Sequence, residues 1–189
     1  MKRRAMLKGL TTILLIAAAH RRGLAADPAQ TPRRTVEELQ RDWKSLLAEG
    51  ADVVLTTEPL QRSDEGWRKL LTHMQYRVMR EAGTEGTFTS PLNDEKRPGV
   101  FACAGCRLPL FTSEMKFDSG TGWPSFFTTI PGVFGTKRDF MLILPRTEYH
   151  CIKCGSHHGH VFKDGPPPTG LRYCNNGVAL RFIPKSRTA

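Results

Sequence analysis

Cys103-Ala104-Gly105-Cys106 and Cys151-Ile152-Lys153-Cys154 are two Cys-x-x-Cys knuckles, set far apart in a chain of 189 residues that holds five cysteines. Four thiolates from such a pair form the tetrahedral soft-donor set that zinc prefers, and four protein ligands leave no open position for water or substrate. The site therefore reads as structural, one zinc per chain held by Cys103, Cys106, Cys151 and Cys154, stapling two halves of a small domain. Two disulfides, or a redox-active Cys-x-x-Cys, are the competing readings. Neither knuckle precedes a helical pattern, as a thioredoxin-like motif does.

The surrounding sequence has the texture of a small β domain. From Arg97 onward, short β-rich runs at 100–103, 140–144, 160–162, 171–174 and 178–183 alternate with turns. That spacing argues for an all-β unit, and 17 glycines and 13 prolines favour short strands over long helices. Ahead of it lie short helical patterns. In residues 35–48, Val36, Leu39, Trp43, Leu46 and Leu47 fall on one helical face. Thr35 with Glu38 has capping-box spacing, and Gly50 supplies a stop. Ser63 opens a second short helix containing Trp67 and Leu70, and Thr72 with Gln75 opens a third that Gly83 closes. Trp43, Trp67 and the methionines of this region read as core.

Residues 1–26 have the layout of an export signal: a basic start, an apolar stretch over 10–19, and small residues at Ala25 and Ala26. The apolar stretch is too short to span a bilayer as a helix, so no stable membrane insertion is expected after its removal. Lys2-Arg3-Arg4-Ala5-Met6 resembles a twin-arginine signal, a route that implies the periplasm or another exported location; a general secretory signal is the competing reading. Folded export suits a metal site, because zinc can load before the thiols meet an oxidising compartment. The segment also accounts for most of the charge. The formal net charge is +10; setting aside its six cations leaves 22 basic against 18 acidic residues, a net +4. That is ordinary for a soluble domain, so nucleic acid is not an expected partner. Residues 27–62 then read as a Pro-rich tether followed by the first helix, and 63–185 as the main domain.

The fifth cysteine stands apart, in Arg172-Tyr173-Cys174-Asn175-Asn176. Along a strand, Arg172, Cys174 and Asn176 project to one face. A guanidinium beside a thiol favours the thiolate, which is the reactive form. Upstream, His157-His158-Gly159-His160 offers imidazoles that can move a proton near neutral pH. The run Phe117-Asp118-Ser119-Gly120-Thr121-Gly122-Trp123-Pro124-Ser125-Phe126 places an indole in a Gly/Pro-rich loop, where surface sites are commonly built. Each feature has a plainer reading: a buried cysteine, a hairpin turn at Asn176-Gly177, surplus metal ligands, a core tryptophan. It is their combination that points to a site.

Three runs carry a specific resemblance: residues 117–126, the run Cys151-x-x-Cys154-x-x-His157-x-Gly159-His160-Val161-Phe162-x-Asp164-Gly165-Pro166, and Thr169-Gly170-Leu171-Arg172-Tyr173-Cys174-x-Asn176. Together they resemble the B-type methionine sulfoxide reductases, which reverse one epimer of methionine sulfoxide. The resemblance implies a mainly β fold of two small antiparallel sheets around a structural zinc, a β-tent. It implies oxidised proteins or peptides carrying methionine-(R)-sulfoxide as substrate, with free methionine sulfoxide left open. It also implies Cys174 as nucleophile, His160 as proton donor assisted by His157, Arg172 holding the thiolate, Asn176 orienting the site, and Trp123 walling the pocket for the S-methyl group. Thr121 stands where many members carry a resolving cysteine. The cycle expected here therefore needs an external thiol or a thioredoxin-like protein to reduce a sulfenic acid on Cys174. Glu85-Gly86-Thr87-Phe88 also departs from a family Arg-Pro. Two other classes compete: a non-catalytic zinc-knuckle binding module, and a thiol oxidoreductase that uses the knuckles themselves.

Overall fold

The computed structural model describes residues 34–139 and 145–186. The expected export signal and the expected strand at 140–144 lie outside the described residues. Among the described residues no helix is long and apolar enough to cross a membrane.

Two antiparallel sheets form the body. The smaller has the order β2-β1-β9, from β1 (Gly99–Cys103), β2 (Pro109–Thr112) and β9 (Leu180–Pro184). The larger has the order β3-β4-β8-β7-β6-β5. Its strands are β3 (Lys116–Phe117), β4 (Ser125–Phe126), β5 (Phe134–Asp139), β6 (Arg146–Cys151), β7 (His157–Phe162) and β8 (Arg172–Asn175). Their apolar faces meet through aromatic rings. Phe111 of the small sheet stacks on Phe126 of the large one, with centroids 4.0 Å apart and planes 9° off parallel, and Phe101 meets Phe126 edge-on at 5.1 Å. All three are fully buried. Such rings dominate core energetics through the area they remove from water.

The knuckles tie the two sheets together. β1 ends at Cys103 and β6 ends at Cys151, so each knuckle turns directly off a strand of a different sheet. Both turns place the residue after the second cysteine in the left-handed region. Gly155 takes φ 68° where a glycine is at home, but Arg107 takes φ 63° in the equivalent position.

Three short helices precede the sheets: α1 (Val36–Arg41), α2 (Asp64–Leu70) and α3 (His73–Glu81). The capping boxes of Thr35/Glu38 and Thr72/Gln75 are both formed, and Ser63 caps α2. The single helix expected over 35–48 is instead α1 followed by a 3₁₀ turn, Trp43–Leu46. Asp42 breaks the α run, drawn to the guanidiniums of Arg34 and Arg41. The tighter 3₁₀ turn still brings Leu46 into the core along with Leu39. Gly50 does not end either element. Likewise Ala82, not Gly83, takes the left-handed position at the end of α3. The Gly83 N–H then bonds the Arg77 carbonyl, and a Cβ there would come within 2.9 Å of that oxygen. α2 and α3 cover the metal end: Trp67 and Met79 are buried against Gly105, and Arg80 spans from the Trp67 ring to the Cys154 carbonyl. Met74 is the exception to the core reading, since it is exposed.

Candidate active site and metal centre

The four knuckle sulfurs all lie within 4.8 Å of one another. Cys103 Sγ is 3.6 Å from Cys154 Sγ, and Cys106 Sγ is 3.5 Å from Cys151 Sγ. Those separations are far beyond the roughly 2.05 Å of a disulfide. All four side chains are buried. Hydrogen bonding among the four sulfurs, with burial and mutual repulsion behind it, pushes Cys103 and Cys151 towards the protonated form and draws Cys106 and Cys154 towards the thiolate, so the set cannot be charged alike on its own. A cation among them removes that conflict, so the cluster is built to hold a metal ion.

Cys174 lies outside this cluster, on β8 of the large sheet. The register places Lys137, Glu148, His160, Cys174 and Ser125 as successive cross-strand partners on β5, β6, β7, β8 and β4. Directly opposed residues of antiparallel strands share a face, with Cβ atoms about 4.5–5.5 Å apart. The expected strand alternation holds for Arg172 and Cys174. It fails for Asn176, because β8 ends at Asn175 and Asn176 leads into a 3₁₀ turn, Gly177–Ala179. The Asn176 side chain is a buried cross-link: its Oδ1 accepts from the Glu85 N–H at 2.9 Å and its Nδ2 donates to the His158 carbonyl at 3.0 Å. Asn175 is anchored on either side of its own side chain, accepting from the Tyr149 hydroxyl at 2.8 Å and donating to the Asn176 carbonyl. The backbone around Cys174 is thus held from two directions.

An open cleft of about 420 Å³ sits over Cys174, with Trp123, His160, Phe162, Arg146 and Asn176 among its walls. The Trp123 indole N–H donates to the Glu85 carbonyl at 3.3 Å, fixing the ring at the mouth. Glu85 is buried, and its carboxylate accepts from the N–H groups of Gly177 and Val178. One residue therefore secures Trp123, Asn176 and the turn after Cys174.

Burial pushes the Cys174 thiol above its ordinary pKa. The Arg172 charge and the Thr121 hydroxyl pull it down without overcoming burial. Arg172 itself is clamped by Asp164, Nε to Oδ1 at 2.9 Å and Nη2 to Oδ2 at 2.8 Å, and stacks over Phe162. The sequence-based expectation that Arg172 favours the thiolate thus meets a counterweight, since an enclosed sulfur loses water that would solvate its charge.

His160 is oriented by a carboxylate that sequence reasoning missed. Its Nε2 lies 2.7 Å from Asp139 Oδ2, and Asp139 also accepts from Arg146 at 2.7 Å. Burial lowers the His160 pKa and the Asp139 contact raises it, leaving a net depression. His157 is buried beside Glu148, with Nδ1 3.1 Å from Oε1 but outside hydrogen-bond alignment; Lys137 Nζ is 3.2 Å from the same oxygen. A second pocket, open to solvent, lies behind His160 and is lined by His157, Glu148 and Asp139. Asp139, Glu148 and Asp164 all escaped the sequence reading. Asp164 lies within a quoted motif, and the spacing of Arg146 and Glu148 along one strand face was a usable signal.

A cysteine paired across a sheet with a carboxylate-held histidine, in a cleft separate from a four-cysteine cluster able to hold a metal, defines a thiol-based oxidoreductase on a two-sheet β fold. Residues 71–184 match the SelR domain. The peptide methionine sulfoxide reductase MsrB of Agrobacterium fabrum is 50% identical over 131 residues, covering 69% of this chain and 97% of that one. The proteins of the same name from Leptospira interrogans (48% over 124 residues, 65% and 95%) and Methanosarcina barkeri (47% over 129 residues, 68% and 91%) match the same way. This chain belongs to the SelR-domain MsrB family.

Proposed function

We propose that this chain is a peptide-methionine (R)-S-oxide reductase: it reduces methionine-(R)-sulfoxide in oxidised proteins and peptides by nucleophilic attack of Cys174. The observation that carries the reading is the direct pairing of Cys174 with His160 beneath the Trp123-walled cleft. A binding module has no use for that pairing.

With its Nε2–H on Asp139, neutral His160 presents Nδ1 as the basic nitrogen. That nitrogen takes the Cys174 proton, and the thiolate attacks the electrophilic sulfoxide sulfur. The imidazolium then returns the proton to the sulfoxide oxygen, whose negative charge grows as the S–O bond breaks. Oxygen passes to Cys174, two electrons pass to the substrate sulfur, and the products are methionine and a sulfenic acid. His157, behind His160 and beside Glu148, supports the imidazole's orientation. Arg172 offers the positive charge that stabilises the thiolate once it forms, and Asn176 holds the turn that fixes Cys174. Trp123 receives the S-methyl group, where sulfur–aromatic contact is favourable. Two external thiols then reduce the sulfenic acid, releasing water and a disulfide of the reductant, because the other four cysteines belong to the metal cluster. A small thiol or a thioredoxin-like protein fits that step.

The metal is zinc. Sulfurs at about 2.3 Å from zinc in a tetrahedron stand about 3.8 Å apart, which suits separations of 3.5 and 3.6 Å. Cys103, Cys106, Cys151 and Cys154 hold it, and it contributes folding energy, not chemistry. Residues 63–185 form the catalytic domain and 27–62 a tether and leading helix. Residues 1–26 form a twin-arginine export signal that delivers the enzyme to the periplasm; Arg3→Lys with Arg4→Lys strands the precursor in the cytoplasm if so, and normal export of that variant overturns it.

The activity is tested with separate (R) and (S) epimers of a peptide methionine sulfoxide, a dithiol reductant, and the Cys174→Ser variant. Reduction of the (R) epimer alone, lost in the variant, is the expected result. No turnover of either epimer by folded, zinc-loaded protein would favour the binding-module reading.

A further inference from the structure

The position left without a resolving cysteine has been filled by a chain of hydroxyls. Thr121 Oγ1 lies 2.9 Å from Ser119 Oγ, and Ser119 Oγ lies 2.8 Å from Ser125 Oγ. Ser125 donates to the Trp123 carbonyl at 3.1 Å. Ser125 is fully buried, and it is the direct cross-strand partner of Cys174. At the other end, the Thr121 hydroxyl draws the Cys174 thiol pKa down, against the rise that burial causes. Thr121 is held in place by its neighbours: Gly120 and Gly122 take φ 68° and 84°, and its carbonyl accepts from the Thr87 hydroxyl at 3.0 Å.

Counting protons shows what such a chain can do. Each hydroxyl has one proton to give and lone pairs to accept. With the protons running from Thr121 to Ser119 to Ser125 to the Trp123 carbonyl, Thr121 Oγ1 is left as an acceptor. It then suits a protonated Cys174, whose S–H is a donor. If all three hydroxyls rotate, the protons run from Ser125 to Ser119 to Thr121 and on to the sulfur, which suits a thiolate or a sulfenate. No heavy atom moves, and only the Trp123 carbonyl gives up a partner.

We propose that Thr121, backed by Ser119 and Ser125, is a positioning residue that donates a hydrogen bond to the Cys174 sulfur in its anionic states, through a hydroxyl chain that reverses direction with the charge. The role rests on the reading of Cys174 as the nucleophile. It supplies in Thr121 a partner for the oxidised sulfur where a resolving cysteine would instead form a disulfide. The other groups facing Cys174 are Arg172 on its own strand with Asp164 behind it, His160 from β7, Arg146 and Tyr149 from β6, and Tyr173 beside it. Burial holds the tyrosines above their ordinary range and His160 below its own, and a readout on the Cys174 peptide follows the thiol apart from both.

The test is the pH dependence of Cys174 alkylation by iodoacetamide in the zinc-loaded protein, read by mass spectrometry of the peptide that carries Cys174. Thr121→Val keeps the shape and removes the donor; its midpoint should rise by roughly half to one pH unit, the worth of one hydrogen bond to the charged form. Thr121→Ser should restore the wild-type midpoint, and Ser119→Ala should shift it in the same direction by less. An unmoved midpoint in Thr121→Val, or equal shifts for the valine and serine variants, overturns the proposal. Should Thr121→Val not fold, an unmoved midpoint in Ser119→Ala overturns it alone. The readout needs no turnover, so a protein that shows the shift but reduces neither sulfoxide epimer would fail the proposed activity and not this inference.

Discussion

Cys174 and His160 sit opposite each other on β8 and β7, in the same row that carries Glu148 on one side and Ser125 on the other. The proposed nucleophile and its proposed proton partner are thereby placed by sheet register. Slipping either strand by one residue would turn every side chain of that row to the other face. The Tyr149–Asn175 hydrogen bond and the Asn176 cross-link hold this register from the buried side.

The Asp139–His160 bond predicts how the acid–base step responds to mutation. Asp139 raises the His160 pKa against the depression that burial causes. In Asp139→Asn the charge is lost and Arg146 is left beside the imidazole, so the His160 pKa falls further. The acid limb of the kcat/KM profile should move to lower pH, and kcat should drop by roughly 10–100-fold as the tautomer is no longer fixed. His160→Ala should cost about 10²–10⁴-fold, the usual worth of a positioned acid or base. Steady-state kinetics across pH on a sulfoxide peptide check both. An unchanged profile in Asp139→Asn would remove Asp139 from the mechanism.

The location of all other cysteines in the metal cluster predicts the state of the enzyme after a single turnover. Without reductant, one equivalent of methionine should form per chain. Cys174 should then carry one extra oxygen, trapped by dimedone and seen by mass spectrometry. An intramolecular disulfide involving Cys174 would refute the one-cysteine cycle and show that the cluster surrenders a ligand.

The cluster also predicts a folding dependence on metal. Structural zinc in small domains contributes on the order of 10–16 kcal/mol, against a typical net stability of about 5–15. Metal-stripped protein, or Cys106→Ser, should lose its cooperative thermal transition and most of its tertiary circular dichroism. Elemental analysis of the native protein should give close to one zinc per chain. A metal-free protein melting at the same temperature would reject a structural role.

What the sequence disclosed follows from how local each feature is. Cys-x-x-Cys spacing is a property of one turn, so both knuckles could be read directly, although not that Arg107 must adopt the conformation Gly155 takes freely. The capping boxes at Thr35 and Thr72 are equally local and are formed. Arg172 and Cys174 share a strand face because alternation needs only the strand. Asn176 departed from that pattern because β8 stops one residue earlier, where its side chain is taken up by Glu85 and His158. Asp139 and Glu148 were hidden for a different reason. They reach the histidines from other strands, and nothing near His160 in sequence specifies which carboxylate the pairing of β5, β6 and β7 will bring to it.

His158 yields a prediction about acid stability. It is fully buried between His157 and Gly159, packed against Phe134 and Tyr149, and neither ring nitrogen makes a well-aligned hydrogen bond. Burial lowers its pKa from the ordinary value of 6.5 to about 4. Because the folded-state value lies below the unfolded one, protonation favours the unfolded chain. The neutral imidazole is tolerated in full above about pH 6.5, and stability falls as pH drops from there towards 4. By linkage the loss amounts to as much as about 3 kcal/mol at the acid end. His158→Leu removes the titrating group and matches the apolar surroundings. Urea denaturation of wild type and variant between pH 7 and pH 4.5 should therefore diverge, with the variant gaining relative stability as the solution becomes more acidic. The metal ligands titrate in both proteins, so their contribution cancels in the difference. Parallel stability curves would mean that the imidazole finds a partner for its charge inside the fold.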